Sequence, residues 1–119
     1  MAQWRVVENE YLPDVGFVYL IERPDGLIKI GHARDIDRRF AQLSREQDGL
    51  KILKLIRCLN RMATEAALHE MFDDYREFGE WFSLPDGYNT RIDWLAGKLL
   101  CAITSVEMEL GPLFEEIES

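Results

Sequence analysis

The chain is poor in most of the features that would narrow its setting. Cysteine occurs twice in 119 residues, as Cys58 and Cys101, too few for a disulfide framework. A reduced, cytoplasmic setting is therefore expected. The two cysteines and the two histidines, His32 and His69, form neither a C-x-x-C nor an H-x-x-x-H pair, which argues against structural zinc. No apolar run approaches the roughly 20 residues that a membrane helix needs. Residues 1–11 carry Glu8 and Glu10 and no apolar stretch, so no secretory signal is expected. A glycine-rich phosphate loop, a G-x-S-x-G elbow and a G-x-G-x-x-G turn are all missing, which sets aside nucleotide-triphosphate and serine-hydrolase readings. Repeats and low-complexity tracts are absent too.

What remains is globular in composition, with 47% hydrophobic and 30% charged residues, and of a size for one domain. The net charge of -8 argues at first against a partner as negative as nucleic acid. Its distribution argues otherwise. Residues 23–61 carry ten basic and five acidic side chains, while residues 62–119 carry three basic and thirteen acidic ones. A basic middle can hold a phosphate backbone whatever the total, although solvated surface charge is the blander reading. Lys29, Arg34, Arg38 and Arg39 are expected to share one face.

The pattern along the chain is β-β-α-β-α followed by an acidic helical stretch. Gly16 to Glu22 is dense in β-branched and aromatic residues and reads as a strand. Pro24-Asp25-Gly26 is a turn, and Leu27 to Gly31 returns as the second strand of a hairpin. Asp35 can cap a helix whose Ile36, Phe40 and Leu43 share one face. A third strand follows over Leu50 to Leu59, and Asn60 can cap a helix from Arg61 to about Tyr75. Phe78 to Phe82 is a glycine-hinged segment with short-strand character. Ile92, Leu95, Leu99, Ile103, Val106 and Leu110 then form the stripe of a long helix that Gly111-Pro112 should end.

Several of these segments carry motifs. Phe17-Val18-Tyr19, then Lys29-Ile30-Gly31, then Arg39 on the next helix, resembles the GIY-YIG nuclease superfamily. Glu65-Ala66-Ala67-Leu68-His69 and Gly79-Glu80-Trp81-Phe82 extend the likeness. Together they look like the phage-associated K-I-G, E-x-x-L-H, G-E-W-F branch, which includes meiotically up-regulated gene 113-like and phage open-reading-frame-172-like domains. The resemblance spans about residues 16–84. It implies an α/β fold with a small, mainly antiparallel three-stranded sheet flanked by helices. Residues 1–15 would be an N-terminal extension, and 85–119 an acidic helical extension that covers the sheet or makes a dimer contact.

The function that the resemblance implies is endonucleolytic cleavage of DNA with Mg²⁺ or Mn²⁺. In its terms Tyr19 orients or deprotonates the attacking water, Arg39 stabilises the charged phosphate, and Glu65 holds the metal ion. Lys29 stands where most relatives keep a tyrosine and can bind phosphate as a point charge. His32 could serve as base or phosphate donor, with His69 beside it and Glu80 as a further acid. Arg34 and Arg38 join Lys29 as nucleic-acid contacts. The chemistry is coherent, because phosphoryl transfer needs charge neutralisation, an oriented nucleophile and a Lewis acid. Blander readings stay open: Tyr19 as core, and Glu65 with His69 as an ordinary i, i+4 polar pair. The alternative function is a catalytically degenerate domain that binds nucleic acid, or a basic protein through its acidic C-terminal half.

Overall fold

The computed structural model describes residues 3–6, 14–110 and 114–117, with side chains from 14 to 99. Strand β2 (Gly16–Glu22) pairs with β3 (Ile28–Ala33) on one side and β4 (Lys51–Cys58) on the other, both antiparallel. The β2–β3 turn is built as its residues dictate. Gly26 takes φ +90°, its N–H donates to the Arg23 carbonyl at 3.0 Å, and Leu27 N–H donates to the Asp25 carboxylate at 3.2 Å. Beyond β3 lie two further strands, β5 (Arg76–Phe78) and β6 (Trp81–Phe82). The sheet therefore has five strands in the order β4-β2-β3-β6-β5, two more than the expected three. At three and two residues these edge strands are too short for an alternating pattern to announce them.

The sheet is covered on both faces, which explains why β2 reads as an unbroken apolar run. Helix α1 (Ile36–Glu46) lies on the face of Val15, Phe17, Tyr19 and Ile21, contributing Ile36, Phe40 and Leu43. Helix α2 (Arg61–Met71) and the start of α3 (Tyr88–Leu110) cover the opposite face, where Leu68, Phe72, Ile92 and Ala96 meet Val18, Leu20, Ile30 and Phe82. Both predicted caps form: Asp35 accepts from Arg38 N–H and Asn60 from Ala63 N–H, each at 3.0 Å. Helix α2 stops at Met71, and a 3-10 turn over Asp73–Tyr75 takes up the rest of the expected helix. At the chain ends β1 (Gln3–Val6) pairs antiparallel with β7 (Phe114–Ile117), so strand follows α3 within the expected helical extension.

Cys58 is buried and its thiol is pushed up by desolvation, consistent with an inert core residue. The side chains of Cys101, Ile103, Val106 and Leu110, and Gly111-Pro112, lie outside the described residues. Among the described residues no helix is long and apolar enough to cross a membrane.

Candidate active site

Four separate parts of the chain deliver polar side chains to the exposed flank of β3. Strand β6 pairs only with Ile28 and Lys29, and the Glu80 carbonyl then accepts from Ile30 N–H at 3.1 Å. Among the described residues no strand pairs with β3 on this side past that point, so Gly31 and His32 lie at a notch in the pairing of the sheet. The β5–β6 turn places Glu80 at the notch; its Gly79 sits at φ +53°, where a side chain would strain the backbone.

Tyr19 reaches the notch from the α1 face by lying over its cross-strand partner, Gly31. The approach is so close that a Cβ at position 31 would lie 2.5 Å from Tyr19 Cζ. Arg39, one turn into α1, stands near the Tyr19 hydroxyl, where its charge favours the phenolate. From the opposite face α2 supplies Glu65 and His69. Glu65 has 11% of its side chain exposed, with Oε2 3.2 Å from His32 Nε2 and Oε1 3.3 Å from His69 Nε2.

The two histidines hold that carboxyl group rather than standing apart from it. His69 Nε2 lies 2.8 Å from the Ile30 carbonyl, which can only accept, so Nε2 carries the proton. His32 is held below its usual pKa, chiefly by burial and then by the charge of Arg61, and is neutral at pH 7. Its Nδ1 is buried without a partner, so the less costly tautomer is the one with Nε2–H pointing at Glu65. Glu65 Oε2 thus faces the His32 N–H, while the His69 N–H is directed at the Ile30 carbonyl, with Glu65 Oε1 as its longer neighbour at 3.3 Å.

The Glu65 carboxyl also feels that of Glu80. Burial, and then the charge of Glu80, push the Glu65 carboxyl up to about 7, against Lys29 and Arg39, which favour the anion. Two carboxylates this close resist double ionisation and invite either a shared proton or a cation. Lys29 Nζ stands 3.2 Å from Glu80 Oε2 and supplies part of that charge. Tyr19 is pushed up to about 12, chiefly by burial, with Glu80 and Glu65 adding to the effect and Arg39 opposing it. Its phenol is therefore protonated at neutral pH.

A groove leads away from this cluster along α1. One section, about 540 Å³, is lined by Lys29, Arg39, Gln42, Leu43, Arg45 and Glu46; the adjoining one, about 240 Å³, by Ala33, Arg34, Asp35, Arg38, Arg39 and Gln42, so in each three cations face one carboxylate. Arg39 and Gln42 join the two sections, with Lys29 in one and Arg34 and Arg38 in the other, and Arg45 adds a further cation beside Lys29. Sequence reasoning passed over Gln42 and Arg45, yet Arg38, Gln42 and Arg45 lie at i, i+4 and i+7 on one helix face, which is the signal that finds them.

The structure thus brings together Tyr19, Lys29, His32, Arg39, Glu65, His69 and Glu80, with Arg34 and Arg38 along the adjoining groove. A family comparison covers the same ground. The T5orf172 domain matches residues 16–97, well over half of the chain. The chain belongs to the T5orf172 domain family. The matched span runs from the start of β2 into α3 and contains every residue of the cluster and the groove. No curated protein and no solved structure matches the chain. Among the described residues of this T5orf172 domain, no three His, Cys, Asp or Glu side chains form a ready-made metal cage.

Proposed function

We propose that this T5orf172 domain is a GIY-YIG-type endonuclease that cleaves a DNA phosphodiester bond with Mg²⁺ or Mn²⁺. The observation that carries the reading is the Glu65–Glu80 pair, set across the notch from Tyr19 and Arg39 at the mouth of a basic groove. Its donor set suits a hard cation. Mg²⁺ commonly takes one or two carboxylates and keeps water and phosphate oxygens in its remaining positions, so a closed protein cage is not required. Glu65 and Glu80 would hold it, and the bound ion would act as a Lewis acid on the phosphoryl oxygens.

The protein's own groups divide the remaining work. Arg39 presents its guanidinium toward charge that grows on the phosphate as the nucleophile adds. Beside it the Tyr19 hydroxyl would orient a water or a phosphate oxygen that enters the site. A phenol pushed up to about 12 does this as a donor, not as a resting anion. His69 and His32 fix the Glu65 carboxyl from either side, and burial of the cluster strengthens each of these contacts. The groove along α1 holds the phosphates on one flank of the cut.

One observation favours a second reading. The Lys29–Glu80 ion pair, with Arg39 nearby, already supplies counter-charge to the carboxylates, which suits a domain that binds nucleic acid without cutting it. A nicking assay separates the two. Supercoiled plasmid and labelled oligonucleotides are incubated with Mg²⁺ or Mn²⁺, with and without EDTA, using wild type and Glu65→Gln. Metal-dependent cleavage lost in the variant supports the enzyme; binding with no cleavage under any condition refutes it.

A further inference from the structure

We propose that Phe78 and Trp81, with Arg23 beside them, form a stacking platform for an unpaired nucleobase next to the cut, so that the substrate is single-stranded at that point. The inference rests on the nucleic-acid reading above and adds to it the form of the substrate. Lys29 pairs across the strands with Trp81, and Trp81 with Phe78, so the three side chains stand in a row on one face of the sheet. Gly31, two residues beyond Lys29, puts that row on the same face as Tyr19. Helix α1 covers the β2 part of this face and leaves the β6–β5 end open: Phe78 is 53% exposed.

An exposed phenylalanine alone would mean little. This one is joined to a tryptophan, flanked by cations, and two residues from Glu80. The Arg23 guanidinium, ion-paired with Asp25, already lies over these rings, 5.6 Å from the Phe78 ring centre and 5.1 Å from that of Trp81, and Lys29 Nζ lies 5.4 Å from Trp81. Aromatic rings beside a basic groove are what single strands use, because every base offers a face and every linkage a charge. Guanidinium planes stack on bases as well. In continuous duplex the base faces are occupied by their neighbours, and a ring on the sheet surface has nothing to stack upon. With the phosphate in the notch, the adjoining base falls toward Phe78 only if it is unpaired.

The test is equilibrium binding in EDTA, which prevents cleavage, followed by fluorescence anisotropy. The probes are labelled oligothymidylate of about 12 nucleotides, the same strand carrying abasic sites, and a blunt duplex. Phe78→Ala should weaken oligothymidylate binding about ten-fold, within the range for one lost base stack, and change duplex binding less than about two-fold. Wild type should bind the abasic strand about as weakly as the variant binds oligothymidylate, and the variant should not distinguish the two strands. Phe78→Trp should keep wild-type affinity, and unchanged thermal melting should accompany both substitutions at this exposed site. Equal losses on single strand and duplex, or a Phe78→Ala protein that still prefers bases over abasic sites, would overturn the platform and leave the nucleic-acid reading standing. If wild type binds none of the probes, that reading falls and the platform with it.

Discussion

Gly31→Ala is the smallest change that reaches both the fold and the site. A methyl group there would meet Tyr19 at 2.5 Å from Cζ and 2.9 Å from Cε1, far inside the ~3.5–4.0 Å at which carbon atoms rest. The tyrosine ring cannot step aside at no cost. It is 1% exposed and shares its cluster with Phe17, Ile21 and Ile36, all buried. Overpacking of this kind typically destabilises by about 1–3 kcal/mol, or roughly 4 °C in melting temperature for each kcal/mol in a domain this size. The ring must also move by about 1 Å, which disturbs its placement against Arg39, Glu65 and Glu80. A misplacement of that order lowers a positioned reaction by about 10²-fold. Urea melts and single-turnover cleavage read the two effects separately. In a Tyr19→Leu background the clash partner is gone, so adding Gly31→Ala should then cost little stability. A Gly31→Ala protein as stable as wild type, or one whose loss persists undiminished without the tyrosine, would refute the argument.

Glu65→Gln keeps the shape of the side chain and removes its charge, so it should abolish cleavage while the melting temperature at pH 7 stays level or rises. Because the Glu65 pKa is raised from 4.5 to about 7, the folded state holds its proton more tightly than the unfolded one. The resulting stability is full below about pH 4.5, declines as pH rises through about 7, and amounts to at most about 3 kcal/mol. His32, shifted downward, acts with the opposite sign and loses its contribution as pH falls below about 6.5. Melting curves across that range should show the upper decline flattened in Glu65→Gln and the lower one in His32→Asn. Mg²⁺ should raise the melting temperature more at about pH 8 than at about pH 5, where the carboxyl proton competes with it, and should do neither in Glu65→Gln. Arg39→Ala should lower kcat more than DNA affinity and reduce the slope of affinity against salt, both measurable by titration at several salt concentrations.

The core of this fold was legible because its local signals and its long-range packing agree. Pro24-Asp25-Gly26 has one sensible conformation, and it makes the hairpin that centres the sheet. Asp35 and Asn60 sit just before apolar-periodic runs, and each caps the helix that the run becomes. The outer strands lacked such agreement. Arg76, Glu77 and Phe78 are all exposed, and β6 is only Trp81 and Phe82. Their pairing depends on the Gly79 turn and on the open flank of β3, which belong to the assembled sheet rather than to the segment.

That these particular side chains gather was legible for a different reason, and the geometry of their gathering was hidden for the same one. Motif spacing identifies residues that must meet, but says nothing of the face each one leaves from. Tyr19 and Glu65 start on opposite sides of the sheet, the first among the residues under α1 and the second on α2. They can interact because β6 ends at Trp81 and Gly31 carries no side chain, which opens the flank of β3 between them. Seen this way, the glycine and the lysine of Lys29-Ile30-Gly31 have separate work. Gly31 admits the phenol, while Lys29 leans on Glu80 and moderates the charge of the carboxylate pair. In the proposed reading Glu80 therefore joins Tyr19, Arg39 and Glu65 at the centre, since without it Glu65 would be one buried acid beside two imidazoles, with little to draw a cation.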